Sequence, residues 1–329
     1  MKKRIVAGVL FLAALLALVL RASYVTPPEQ REFGGGWNMY LREPGNSIDL
    51  LFLGSSMTYC DVVPADIYAK TGLTAYVMAG PEQTPCLTYY YLREAFKTQS
   101  PSAVFLELTG VMFERYMSYT KANVGRMPYW SLNRLRATLE GAEPEQRAGL
   151  FFPLYNYHDR FTDPSSLFRR RADERLDPLA GFTLMSGSEP QSKRGAREFD
   201  LSEADLENNL KYLSLIEELC AAHGAELVLF QAPSCAYLSG ADLERILSAV
   251  AEDTSFWDFS ASPLYERTGL DAETDYYDYL HTNAAGARKF SAALADVISE
   301  RLELTPCAHD EALWQWRMDL LEEKMRAAG

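Results

Sequence analysis

Two stretches of this chain combine residue types that do chemistry together. The first is Leu51-Phe52-Leu53-Gly54-Ser55-Ser56-Met57, an apolar run that ends in a small-residue turn. A serine placed there stands where a buried strand stops, with its hydroxyl exposed and its own N–H beside any substrate oxygen. A hydroxyl is a poor nucleophile until a base in fixed geometry takes its proton, so the serine needs a partner. The second stretch is Asp275-Tyr276-Tyr277-Asp278-Tyr279-Leu280-His281-Thr282-Asn283. The chain has only 4 histidines, which narrows the choice of base. Asp278, three positions before His281, can hold one ring nitrogen within a turn and set the tautomer. Each motif alone has a plainer reading. Gly-Ser-Ser is commonly just a turn, and Asn283 reads as the cap of a following helix with an incidental histidine before it.

The elements that must position these residues follow from hydrophobic periodicity. Ile48 to Leu53 reads as a strand buried on both faces. A helix starts at Pro64 and stops near Gly72. Ala75–Ala79 and Ala103–Leu108 are further strands, with a helix over Tyr89–Thr98 between them. Residues 112–200 break the rhythm, rich in aromatics, arginine, proline and glycine, and read as an insertion rather than a second core. A helix then begins at Ser202-Glu203-Ala204-Asp205, and Leu206, Leu210, Leu213, Ile216 and Leu219 recur at helical spacing toward Gly224. Leu227–Phe230 and Phe256–Phe259 are strands, Asp242–Glu252 a helix, and Asn283–Leu302 the last long helix of the core. This alternation predicts an α/β fold with a central parallel sheet of about five strands, covered by helices on both faces. Ligands in such sheets bind beyond the carboxyl ends of the strands.

Composition narrows the function classes. The 329 residues are 48% hydrophobic, too apolar for a disordered chain. The formal net charge is −13, and residues 1–21 hold four of the positive charges and no acid. The rest therefore carries −17, from 28 basic against 45 acidic residues, which repels phosphate backbones and excludes nucleic acid as a partner. Lys2-Lys3-Arg4 precedes an uninterrupted apolar run, Ile5 to Leu20, followed by Arg21. Those sixteen residues span about 24 Å as a helix, somewhat short of a hydrocarbon core of about 30 Å. The exit, Leu20-Arg21-Ala22-Ser23, lacks a clean small-x-small cleavage site, which favours an uncleaved anchor over a removed signal peptide. Either way the basic end stays cytoplasmic and the body lies outside. Five dispersed cysteines (Cys60, Cys86, Cys220, Cys235 and Cys307) form neither a disulfide scaffold nor a zinc module, and read as small buried hydrophobes. A Cys60–Cys86 pair is the alternative.

Taken together, Gly54-Ser55-Ser56 after the first strand and Asp278-x-x-His281 before the last helix resemble the SGNH/GDSL hydrolase superfamily. The longer phrases, Asn46 to Ser56 and Asp275 to Gly286, are similar to those of its membrane-anchored extracytoplasmic members, relatives of the DltD and AlgX-like cell-envelope O-acylation proteins. The resemblance covers residues 40–110 and 200–302 well and the insertion loosely. It implies a three-layer α/β/α, flavodoxin-like fold preceded by one transmembrane helix. The chain then divides into a signal-anchor (1–21), a tether (22–45), an SGNH-like domain (46–305, with the insertion) and a charged C-terminal helix (306–329). It further implies Ser56 as nucleophile, His281 as base and Asp278 as orienting acid, with Asp275 the weaker choice of acid. The Ser56 N–H and an N–H near Ala79-Gly80 would form the oxyanion hole, with Gln83 as a polar contact. Two positions depart from the family. Val77 stands where many relatives have asparagine, and Leu106-Glu107-Leu108-Thr109-Gly110 lacks the asparagine usual after the third strand. Thr109 is the substitute donor there, while Glu107 would be a poor one. The implied activity is acyl transfer from or to envelope glycans, as an O-acyltransferase supplied by an MBOAT-type membrane partner or as an esterase. A non-catalytic scaffold of the same fold is the alternative.

The remaining features are weaker. Tyr155-Asn156-Tyr157-His158-Asp159-Arg160-Phe161 has the composition of a carbohydrate- or acyl-binding lip, or of an aromatic structural knot. His223 before Gly224 reads as a helix C-terminal residue, His309 as a surface residue, and Arg169-Arg170-Arg171 as a solvated face. Residues 310–327 read as a helix packed on the domain through Trp314, Trp316, Met318 and Leu321. There is no HExxH, Walker A, EF-hand or paired Cys-x-x-Cys motif, so the sequence implies no metal or cofactor.

Overall fold

The structure, a computed structural model, describes residues 2–25, 36–156, 176–197 and 199–328. Its strands are β1 (Leu50–Gly54), β2 (Ala75–Ala79), β3 (Ala103–Glu107), β4 (Gly195–Ala196), β5 (Glu226–Gln231), β6 (Ala236–Tyr237) and β7 (Ser255–Asp258). Five of them form one sheet in the order β2-β1-β3-β5-β7, every pair parallel. β4 and β6 make a separate two-stranded ribbon.

Both faces of the sheet are covered, which is why its strands read as continuous apolar runs. Alternate residues Leu51, Leu53, Tyr76, Met78, Val104 and Leu106 face one core, shared with helices Pro85–Ala95 and Glu203–His223. Leu50, Phe52, Val77, Phe105, Val228 and Phe230 face the other, shared with helices Pro64–Thr71 and Ala284–Arg301. The buried residues of helices Thr120–Arg126, Leu132–Gly141 and Pro144–Phe151, among them Val124, Ala137 and Leu150, join the first of these cores. Helix boundaries differ from the periodicity where capping decides. The second core helix starts at Pro85 rather than Tyr89, because Pro85 fits its first turn. The helix after β6 spans Gly240–Leu247, shorter than Asp242–Glu252.

The C-terminal helix, Glu311–Ala328, is fastened to the core by a buried charge. Arg317 is 1% exposed; it donates to Glu43 Oε1 at 2.5 Å and to the Asp177 carbonyl at 3.1 Å, and lies over the Trp314 ring. The five cysteines are free and four of them are buried, so no Cys60–Cys86 bridge exists. The N-terminal helix, Lys2–Val25, is long and apolar enough to cross a membrane, and its side chains are exposed through Leu18.

Candidate active site

β2 lies on one side of β1 and β3 on the other, so the chain reverses its direction of travel across the sheet at β1. Crevices in parallel sheets form at such a switch point. Ser56 follows β1 directly and opens helix Ser56–Asp61. The turn between them requires Gly54, whose φ is +143°. A Cβ there would fall 2.4 Å from Thr58 Oγ1 and 2.9 Å from Glu107 Cβ, so the strand can enter the helix this sharply only without a side chain.

The histidine comes from the opposite end of the chain. Tyr276 and Thr282 form an isolated antiparallel bridge, and the His281 carbonyl accepts the Tyr277 N–H at 2.9 Å, closing a tight loop. Asn283 ends that loop and caps helix Ala284–Arg301, accepting from the N–H groups of Ala285 and Gly286 and donating to the Gly187 and Thr274 carbonyls. Gly286 allows the loop to lie this close, since a Cβ there would meet the Asp275 carbonyl oxygen at 2.2 Å.

The loop brings His281 Nε2 to 2.7 Å from Ser56 Oγ. His281 Nδ1 lies 2.9 and 3.0 Å from the two Asp278 carboxylate oxygens. Asp278 Oδ1 also accepts the backbone N–H groups of Leu280 (2.7 Å) and His281 (2.9 Å). Burial opposes ionisation of Asp278, but the His281 contact and these N–H groups outweigh it and hold its carboxyl below the ordinary value. Burial likewise opposes a charged His281, yet Asp278, Asp61 and Glu107 together raise its pKa above the ordinary 6.5. Asp61 and Glu107 are themselves buried, and burial pushes each carboxyl up to about 7.

The other candidate residues have different partners. Asp275 turns away from His281: its Oδ2 meets Lys289 Nζ at 2.6 Å and accepts the Asp271 N–H at 2.7 Å. The register Gly54↔Ala79 places Gly80 across the sheet edge from the turn that carries Ser56. Gln83 is buried with Nε2 donating to Thr88 Oγ1 at 3.0 Å, so this amide group serves the helix that follows it rather than the cleft. Thr109 is not a spare donor either. Its hydroxyl donates to Glu107 Oε1 at 2.6 Å and its N–H to both Glu107 oxygens at 3.1 Å, because Glu107 caps the turn Leu108–Met112. His158 and Arg169-Arg170-Arg171 lie outside the described residues. His309 is half-buried, not superficial, with one ring nitrogen 3.1 Å from the Tyr68 hydroxyl. His223 ends its helix, stacked on Phe96 at 4.0 Å between ring centroids.

Ser56 and His281 open into a cleft of about 760 Å³. Its walls come largely from residues 112–119 and 197–201, including Phe113, Tyr116, Tyr119 and Phe199. This wall has no signature in the sequence, because residues 112–119 have no regular period. Nor does the sequence mark Asn123, whose Nδ2 donates at 2.7 Å to the carbonyl of Pro81, 42 positions away, and which packs against Gly80. Glu82 in the same turn holds φ +48°, a strained conformation for a side-chain-bearing residue, while its carboxylate accepts the Tyr119 N–H at 3.3 Å.

No protein-family model matches the chain, and no curated protein matches it. Among solved structures it is similar to a protein of Bacteroides fragilis NCTC 9343 to which acylhydrolase activity is ascribed. That likeness has a TM-score of 0.37 at 10% identity, over 88% of this chain and 97% of the other. It is too distant to carry an argument. The fold is given by the chain's own sheet, and any functional reading rests on the cleft.

Proposed function

We propose that the chain is a serine-dependent acyl-ester enzyme. The observation that carries this reading is the unbroken contact series from Ser56 Oγ to His281 Nε2 and from His281 Nδ1 to Asp278, at 2.7 and 2.9 Å. His281 takes the Ser56 proton as Oγ attacks the acyl carbonyl, and Asp278 holds the imidazole in the required tautomer. The Ser56 N–H, which as the first of its helix has no intrahelical acceptor, would receive the tetrahedral oxyanion, with an N–H near Ala79-Gly80 as the second donor. His281 then returns its proton to the leaving oxygen, leaving an acyl group on Ser56 that passes to water or to a sugar hydroxyl.

Transfer to the hydroxyl of a cell-envelope glycan is the preferred outcome, with hydrolysis by the same residues as the alternative. Support comes from the N-terminal helix, which would hold the body at the outer face of the membrane, where an MBOAT-type partner could supply acyl groups. The aromatic cleft suits sugar rings, whose apolar faces stack on tyrosine and phenylalanine. Its charge is informative too: Glu82, Glu114, Asp200 and Asp278 line it against one arginine, Arg197. A neutral or cationic acceptor fits that field, and a polyanion does not.

The experiment is intact-protein mass after exposure to a fluorophosphonate or p-nitrophenyl acetate. One adduct is expected on the wild type, none on Ser56→Ala, and a rate at least about 10³-fold lower on His281→Ala. Acyl release with water alone and with glycan acceptors then separates esterase from transferase. A second reading, a non-catalytic scaffold of an acylation complex, draws on Glu107 occupying both donors of Thr109. A folded wild type that forms no adduct would select it.

A further inference from the structure

Helix Leu132–Gly141 turns its leucines outward, beside one exposed charge, Arg136. Its inward side chains include Asn133, Arg134 and Thr138, all buried, while Leu132, Leu135 and Leu139 point outward at 70%, 42% and 46% exposure. A helix facing water shows the opposite pattern. Trp130 (66% exposed) and Phe152 (39%) line one groove with Leu135, so these exposed apolar side chains are grouped rather than scattered, and Tyr155 (72%) is exposed on the short helix Pro153–Asn156.

The end of the N-terminal helix meets the body at this patch. Tyr24 packs edge-on against Tyr129 at 5.9 Å and stacks on Trp130 at 6.3 Å, and Ser23 is fully buried. Leu20 lines a mostly apolar groove of about 390 Å³ together with Trp130, Leu135, Leu150 and Phe152. The apolar run Ile5–Leu20 alone spans about 24 Å, roughly 6 Å less than a hydrocarbon core, so residues level with Leu20 are still at lipid depth if the helix crosses the bilayer. Tyrosine and tryptophan at such a level are typical of the membrane interface.

We propose that Trp130 and the outward face of helix Leu132–Gly141 seat the body in the leaflet from which the N-terminal helix emerges, with lipid chains filling the groove beside Leu20. The inference rests on that helix being a retained anchor. It adds that the body is held at a fixed face rather than swinging on a tether. Helix Thr120–Arg126, about 10 Å long, joins Tyr119 in the cleft to Met127, whose carbonyl binds the buried Arg134. Tyr119 of the cleft is thus one short helix away from the segment beneath the proposed seat.

The test uses the full chain in phosphatidylcholine–phosphatidylglycerol vesicles containing nitroxide-labelled lipids. Trp37, Trp257 and Trp314 are buried, and a Trp316→Phe background removes the other exposed indole. Lipid-quenchable tryptophan emission should then come mainly from Trp130 and be largely lost in Trp130→Phe, a surface change that leaves the circular dichroism spectrum intact. Equal quenching in both proteins, or Trp130 emission that aqueous acrylamide quenches as it does for an indole in water, overturns the proposal. Emission shielded from both quenchers overturns it in favour of protein, a second copy, over the patch. Alkaline carbonate extraction is run in parallel. A chain released by carbonate fails the anchor reading itself, whereas a retained chain with Trp130 in water fails only the seat.

Discussion

Asp61 Oδ1 accepts both the N–H of Thr282, at 3.0 Å, and its hydroxyl, at 2.8 Å. Asp61 closes the helix that Ser56 opens, and Thr282 follows His281, so this pair is a strut parallel to the Ser56–His281 contact. It fixes the distance between the proposed nucleophile and the proposed base, which lie 225 positions apart in the chain.

Asp61→Asn keeps the oxygen that Thr282 needs and removes the buried charge, whereas Asp61→Ala removes both. Serine labelling should survive in the first and fall at least about tenfold in the second, because small misplacements of reacting groups are costly. The stability effect has a definite sign. Asp61 has a carboxyl pKa of about 7 when folded, against 3.8 as its ordinary value, so the native state binds more protons between those limits. Stability contributed by that proton is complete below about pH 4 and is lost as pH rises through about 7. Melting curves of Asp61→Asn should show a weaker decline over that range than the wild type.

The pH dependence of serine labelling should report His281. As the proposed base, His281 must be neutral to act, and its raised pKa means it stays protonated above pH 6.5. The rate should therefore climb with pH through a midpoint above 6.5. Glu107→Gln removes one of the charges that hold that proton, so its midpoint should lie lower. An unchanged midpoint would mean Glu107 acts only as a cap for Thr109.

Gly54→Ala should be among the most damaging small changes in the chain. The added methyl meets Thr58 Oγ1 and the Glu107 side chain in a backbone conformation that L-residues rarely adopt. A loss of about 2 kcal/mol or more is expected from denaturant titration, with slower labelling of Ser56 in whatever remains folded.

Acceptor charge should matter. Replacing Glu114 and Asp200, two exposed acids of the cleft, by glutamine and asparagine should raise turnover of anionic acyl-glycans relative to neutral ones by roughly tenfold, an effect that salt diminishes. If the ratio does not move at low ionic strength, the cleft field is not what selects the acceptor.

The sheet was legible because burial on both faces leaves strands such as Val104-Phe105-Leu106 with no polar position to disguise them. Ser56, Asp278 and His281 stood out through turn and cap chemistry next to those strands, and proximity of Ser56 to His281 needed the family resemblance as well. Asp61 did not stand out, and Glu107 stood out only as a poor donor, since an acid in a sequence carries no sign of its burial. Thr109 looked available for the same reason: its partner, two positions earlier, is visible as a residue but not as a cap. The cleft wall at 112–119 was illegible because irregular backbone leaves no period to read.

The buried ion pair of the C-terminal helix also constrains the order of events in biosynthesis. Arg317 and Glu43 are 274 positions apart. Until Arg317 has left the ribosome, Glu43 has no counter-ion, and enclosing it alone would cost several kcal/mol. The charge pair is thus a late contact that discourages premature closure of the chain. If the body is exported unfolded, as the proposed location requires, such a delay favours export.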